Sequence, residues 1–144
     1  MKQISVLNFI FFILFIVLSI KTSAQCSPES YSMNCIEKLD ERYIYLKSYI
    51  IDGLNGAKNS VEYSVVLSRN TNYLLNICTA SNDADGIILS IYDSKRKLIT
   101  SNLLNSILDP IVEFNCELTG IYYLTFTFQN SKKYCGGCIL AFRK

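Results

Sequence analysis

The sequence predicts an all-β fold: an antiparallel, jelly-roll-like β-sandwich of about eight strands with one short helix before it. Three observations predict it. From Tyr43 onward, apolar and polar residues alternate with period two, the pattern of strands with one face in a core and the other in water. Clusters of Gly, Asn, Asp and Ser interrupt that alternation at intervals of about 8–12 residues. No strand–helix–strand rhythm appears, which sets aside doubly wound and thioredoxin-like sheets.

The chain divides into three parts. Residues 1–24 read as a signal peptide: Lys2 is a short positive start, Phe9 to Leu18 is an unbroken apolar run of 10 residues, and Ser19 to Ala24 turns small and polar. Thr22 and Ala24 occupy the −3 and −1 positions for cleavage before Gln25. The run is short for a membrane span of about 20 residues, and Asn8 interrupts its extension, so an uncleaved anchor is the competing reading and no stable membrane insertion is expected after cleavage. Gln25, where a lipobox wants a small residue, argues against lipidation of Cys26. Export places the mature protein in the periplasm, at the cell envelope or outside.

Residues 25–42 form a helical segment. Ser27-Pro28-Glu29-Ser30 reads as a turn into a helix, and Tyr31 to Glu41 carries Met33, Ile36 and Leu39 at helical spacing, with Cys35 on the same helix. Residues 43–144 are the sandwich. Tyr43 to Asp52 is the first strand, closed by Asp52-Gly53 and Asn55-Gly56. Ser60 to Ser68 places Val61, Tyr63, Val65 and Leu67 on one face. After the turn at Arg69 to Asn72, Tyr73 to Thr79 does so with Tyr73, Leu75 and Ile77. Gly86 to Asp93 shows Ile87, Leu89 and Ile91 on one face, and a basic turn leads into Leu98 to Asn102. Leu103 to Pro110 breaks the rhythm and reads as a long connection. Ile111 to Leu118 aligns Val112, Phe114, Cys116 and Leu118. Ile121 to Gln129 aligns Tyr122, Leu124, Phe126 and Phe128, and Gly137 to Arg143 is the last strand.

Three of these segments carry a resemblance. Asn72 to Ala80 (NYLLNICTA), Gly86 to Lys97 (GIILSIYDSKRK) and Thr119 to Phe128 (TGIYYLTFTF) run as hydrophobic strand, strand ending in Asp, then Gly-x-Tyr-x-Leu. Over residues 57–144 the chain resembles the bacterial pre-peptidase C-terminal (PPC-like) β-sandwich domains of secreted proteins. It is also similar to small exported proteins of the Bacteroidota that end in a Cys-Gly-Gly segment and a short strand. The resemblance implies an accessory, non-catalytic module.

Composition narrows the chemistry. The chain has no His, which removes Ser-His-Asp and Cys-His nucleophiles and His-ligated zinc. No carboxylate pair for a hydrolase is identifiable. Without Lys2 and Lys21 of the leader, 12 Lys and Arg balance 12 Asp and Glu, which argues against nucleic acid as a partner. The basic groups Lys95-Arg96-Lys97, Lys132-Lys133 and Arg143-Lys144 read as solvated turns and a chain end. No cofactor and no metal are expected. Asn82-Asp83-Ala84-Asp85-Gly86 looks like the start of a calcium loop, but the closing Glu is absent and Ser94 stands in its place.

The candidate site residues are cysteines and tyrosines. Cys26, Cys35, Cys78, Cys116, Cys135 and Cys138 suit disulfides in an oxidising compartment, with 15 connectivities open. Two or three bridges are expected. Cys78 and Cys116, each ending a strand, are the pair expected to meet, and Cys26 and Cys35 pair with each other or with the sandwich. Cys135-Gly136-Gly137-Cys138 admits a thiol–disulfide exchange reading, set against a structural Gly-Gly turn; zinc on four cysteines lacks a second close pair. Tyr43, Tyr45 and Tyr49 share one face of the first strand with Lys47, a row able to stack on a sugar or hold a peptide, or to cover a core. The reading is a non-enzymatic binding or structural module with a protein or glycan partner; the alternative is an envelope thiol–disulfide protein using Cys135 and Cys138.

Overall fold

The computed structural model describes residues 26–81 and 83–143; the expected signal peptide, residues 1–24, lies outside them. Ten antiparallel strands follow one helix: α1 (Pro28–Glu37), β1 (Ile44–Asp52), β2 (Ser60–Leu67), β3 (Thr71–Cys78), β4 (Ile87–Tyr92), β5 (Leu98–Ser101), β6 (Leu103–Leu104), β7 (Ile107–Leu108), β8 (Ile111–Cys116), β9 (Gly120–Phe128) and β10 (Cys135–Arg143). They form two four-stranded sheets, β1-β10-β3-β8 and β2-β9-β4-β5, with β6 and β7 as a separate hairpin. We call the four-stranded pair sheet A and sheet B in that order. No helix among the described residues is long and apolar enough to cross a membrane.

The period-two faces close on one core. Leu75 and Ile77 of β3, Leu89 and Ile91 of β4, Leu124 and Phe126 of β9, and Cys138 and Leu140 of β10 are all buried between the sheets. Two crossings at one end are tied together. The Arg69 amide donates to Thr119 Oγ1 at 2.9 Å, the Asn70 amide to the Cys116 carbonyl at 2.8 Å, and the Tyr122 hydroxyl back to the Leu118 carbonyl at 2.8 Å. Tyr122 thus fixes the turn just before its own strand, as tyrosine corners do in other sandwiches.

Three elements differ from the sequence reading, each for a physical reason. Residues 103–108 are a hairpin rather than a plain connection. Leu104 faces Ile107 across a two-residue turn in which Asn105 and Ser106 both take positive φ, the twist that suits a hairpin. Its base is held by Asn102, only 1% exposed. The Asn102 side chain accepts from the Leu89 amide at 2.8 Å and donates to the carbonyls of Ile87 and Asp109 at 3.1 and 2.9 Å. These bonds satisfy a buried amide where the ladder beside β4 would otherwise end.

The first strand carries a bulge. Tyr45 pairs with Ala141 and Lys47 with Leu140, so Leu46 is the extra residue and the side-chain alternation slips by one. Tyr43 therefore packs on the outer face of sheet A with Leu74, Ala141 and Leu39. Tyr45 is exposed, and Tyr49 enters the inter-sheet core at 2% exposure. The expected row of three tyrosines does not exist, because strict period two holds only along an unbroken ladder.

The helix begins earlier and ends earlier than its apolar spacing predicts. Pro28 sits in the first turn, where its missing N–H would have no partner, and only Pro28 and Ser32 are buried; Met33 is 58% exposed. An apolar stripe does not seat this helix. It lies on β10 at Gly137, where a Cβ would run into Ser32 Oγ and sit 2.8 Å from the Pro28 carbonyl oxygen.

Two predictions follow from this packing. Gly137→Ala overpacks the helix contact and lowers stability by about 1–3 kcal/mol, and adding Ser32→Ala recovers part of it; thermal melts of the single and double variants measure both. The second concerns alkali. Tyr49 has no hydrogen-bond partner for its buried hydroxyl, and burial pushes it up to about 12. Tyr122 is also raised to about 12, first by burial and then by its contact with the Cys116 thiol. Both folded values lie above the unfolded value, so the neutral forms favour the fold. Denaturant midpoints should stay level to about pH 10 and fall between about pH 10 and 12.

Candidate binding surface

Strand geometry decides what Cys135-Gly136-Gly137-Cys138 can do. The motif opens β10, so residues three apart point to opposite faces. Cys135 points outward and bridges Cys26, with the Cα atoms 5.5 Å apart. Gly136 faces inward, and a Cβ there would meet Ile87 Cδ1 at 2.9 Å. Gly137 faces outward beneath α1, and Cys138 lies in the core with no exposure. The two sulfurs of the motif do not meet, and the exchange chemistry considered for the pair has no geometry to work with.

A second bridge joins Cys35, in the last turn of α1, to Cys78 at the end of β3. Cys78 therefore does not pair with Cys116. The reason is again parity: Cys78 follows Ile77 onto the outer face, whereas Cys116 points into the core and donates to the Leu118 carbonyl at 3.2 Å. Cys116 and Cys138 are buried thiols. They cannot bridge each other, because Cys116 pairs across from Thr71 and Cys138 from Ile77, six residues or about 20 Å along β3. Burial pushes the Cys138 thiol far above its ordinary range. The two bridges close loops spanning 109 and 43 residues, worth about 5 and about 4 kcal/mol in chain entropy. They strap α1 across the outer face of sheet A.

The strap builds a surface. A cleft of about 160 Å³ lies between α1 and the β3–β8 edge, lined by Tyr31, Asn34 and the Cys35–Cys78 bridge on one side and Pro110 and Ile111 on the other. Ile111 also lines a second cleft, of about 290 Å³, against the β6–β7 hairpin. Asp109 and Glu113 border that cleft with no cation among its lining residues. Tyr31 and Thr79 of the first cleft also line a third, of about 240 Å³, with Asp83, Asp85, Lys132 and Lys133. The three adjoin through these shared residues, and together they are called the furrow below. At its hairpin end Leu104 and Ile107 are 65% and 71% exposed and Ile111 is 43% exposed.

The other sequence candidates are engaged within the chain. Asp83 accepts from the Ser81 hydroxyl at 2.7 Å and the Asp85 amide at 2.9 Å, and these bonds hold its carboxyl below the usual range. Asp85 caps the distant turn at residues 131–133, accepting from the Ser131 hydroxyl and the amides of Lys132 and Lys133. Both carboxylates face protein donors; Asn82 lies outside the described residues. Arg96 makes a two-pronged pair with Glu62 at 2.7 and 3.0 Å and lies 3.6 Å over the Tyr123 ring. Lys47 lies 5.3 Å over Tyr49, and Arg143 lies 5.2 Å over Tyr43. The furrow itself escaped the sequence reading, because it depends on where the strap lands. The Asn105-Ser106 pair inside an apolar stretch was the one local signal of its hairpin wall.

Thiol counting tests this arrangement directly. Under native conditions N-ethylmaleimide should leave the protein unmodified. Unfolded without reductant, two cysteines should react, Cys116 and Cys138 by peptide map, and after reduction all six. Labelling of Cys135 before reduction would contradict the strap.

No family model matches the chain, and no curated protein does. Among solved structures, the chain is similar to PliG of Aeromonas hydrophila, a periplasmic lysozyme inhibitor of g-type lysozyme. The likeness covers 71% of this chain and 85% of that one at 13% sequence identity, with a TM-score of 0.42.

Proposed function

We propose that this chain is an exported, non-enzymatic binding module that holds a protein partner along the furrow beside the strapped helix. The observation that carries the reading is adjacency: the cleft beside the helix shares Ile111 with the hairpin cleft and Tyr31 and Thr79 with the third, and the hairpin end offers apolar side chains to solvent. Leu104 and Ile107 pair across the hairpin and line one cleft with Ile111, and grouped apolar side chains at a cleft suit a protein contact. A glycan would want a row of flat aromatic faces, and the bulge at Leu46 takes Tyr49 to the opposite face from Tyr43 and Tyr45 while Tyr43 is buried. The two bridges suit an oxidising compartment, in agreement with a leader ending at Ala24 and an envelope or external location. The PPC-like resemblance of residues 57–144 agrees with an accessory role.

Site-specific photocrosslinking in the producing cell tests the reading. A benzophenone side chain placed at Leu104 or at Tyr31 should trap the same protein, while one at Val66, exposed on sheet B, should not. Leu104→Asp with Ile107→Asp should weaken trapping from Tyr31 by at least about tenfold while the circular dichroism spectrum is kept. No adduct at the furrow, or the same adduct at Val66, overturns the proposal.

A further inference from the structure

We infer that Cys138 is the temporary disulfide partner of Cys135 during folding, and that the finished Cys26–Cys135 bridge is made by a disulfide transfer within the chain. The inference stands whatever occupies the furrow. Cys135 lies three residues from Cys138 but is bridged to Cys26, 109 residues away. In an unfolded chain, closure probability falls with loop length, which favours the near thiol over one 109 residues away. Gly136 and Gly137 between the two sulfurs supply the backbone freedom that so short a ring needs.

The folded strand forbids that same ring. Once β10 pairs with β1 and β3, Cys135 is turned to the helix side and Cys138 to the core. The transfer is redox-neutral. The first Cys135–Cys138 bridge takes two electrons and two protons from the thiols and gives them to a disulfide oxidant of the compartment. The Cys26 thiolate then attacks Cys135 Sγ; the Cys26–Cys135 bond forms and the Cys135–Cys138 bond breaks. Cys138 leaves as thiolate, takes up a proton equivalent to the one Cys26 gave up, and enters the core. There, with no exposure, it has no path back to the new bridge.

The test is oxidative refolding of the exported protein. It is reduced in denaturant, diluted into glutathione buffer, quenched with N-ethylmaleimide at intervals and peptide-mapped. The Cys135–Cys138 species should dominate the early bridges of Cys135 and decay as Cys26–Cys135 appears after a lag. In Cys26→Ala the short bridge should persist. In Cys138→Ala the lag should vanish, and Cys135 should scatter among several partners with native yield reduced several-fold. Wild-type Cys26–Cys135 rising without a lag and without the short species overturns the inference, whether or not the variants fold.

Discussion

β10 lies between β1 and β3 at the centre of sheet A, and its first four residues meet two environments in turn. Outward, Cys135 receives the bridge from Cys26 and Gly137 receives the helix; inward, Gly136 makes room for Ile87 and Cys138 fills the core. Cys135 and the two glycines are each fixed by what they meet, and Cys138 need only fill core space. A side chain at 136 meets the core of the opposite sheet, and one at 137 lifts the helix and draws on both bridges. The alternation of a single strand segment thus positions the strap, and the strap positions the furrow.

The helix illustrates how weak local signals become fixed structure. Only two of its residues are buried, no side chain caps its N-terminus, and it is shorter than helices that stand alone in water. Its place is held by a covalent bond near each end and by one glycine beneath it. In a domain of this size, bridges that close long loops contribute on the scale of the whole folding free energy. The cysteines therefore belong to the architecture first.

Much of that architecture was legible in the amino-acid order. Eight of the ten strands follow from period-two alternation, since an antiparallel sheet with one wet face writes its orientation into sequence. The faces of Val61, Tyr63, Val65 and Leu67, and of Tyr122, Leu124, Phe126 and Phe128, are as the pattern predicts. What was illegible depends on tertiary contact. Leu46 gives no sign of being a bulge, because the slip exists only relative to β10, yet it sends Tyr49 to the face opposite Tyr43 and Tyr45. Asn102 looks like a turn residue, and only the arrival of Asp109 and the β4 edge makes it a buried bridge between them. The cysteine pairing needs the outer faces of β3 and β10 to lie under one helix, a relation that spacing does not encode.

The two sheets end with opposite outer surfaces, and the difference bears on where a partner can sit. The outer face of sheet B mixes Ser, Thr and Tyr with one exposed apolar pair, Val66 and Ile121, and over it Arg96 is already occupied by Glu62 and Tyr123. Detaching Arg96 for a partner would give up a two-pronged ion pair and a ring contact, with little return from the residues around it. At the strapped end the balance is reversed. Leu104, Ile107 and Ile111 already stand in water, so covering them removes apolar surface from water without breaking an internal bond. The furrow walls are held by two disulfides and by the buried Asn102 network, so little ordering remains to be done on binding. Preformed walls beside exposed apolar side chains are the conditions under which buried area converts most fully into affinity, and in this molecule they coincide where the helix is strapped down.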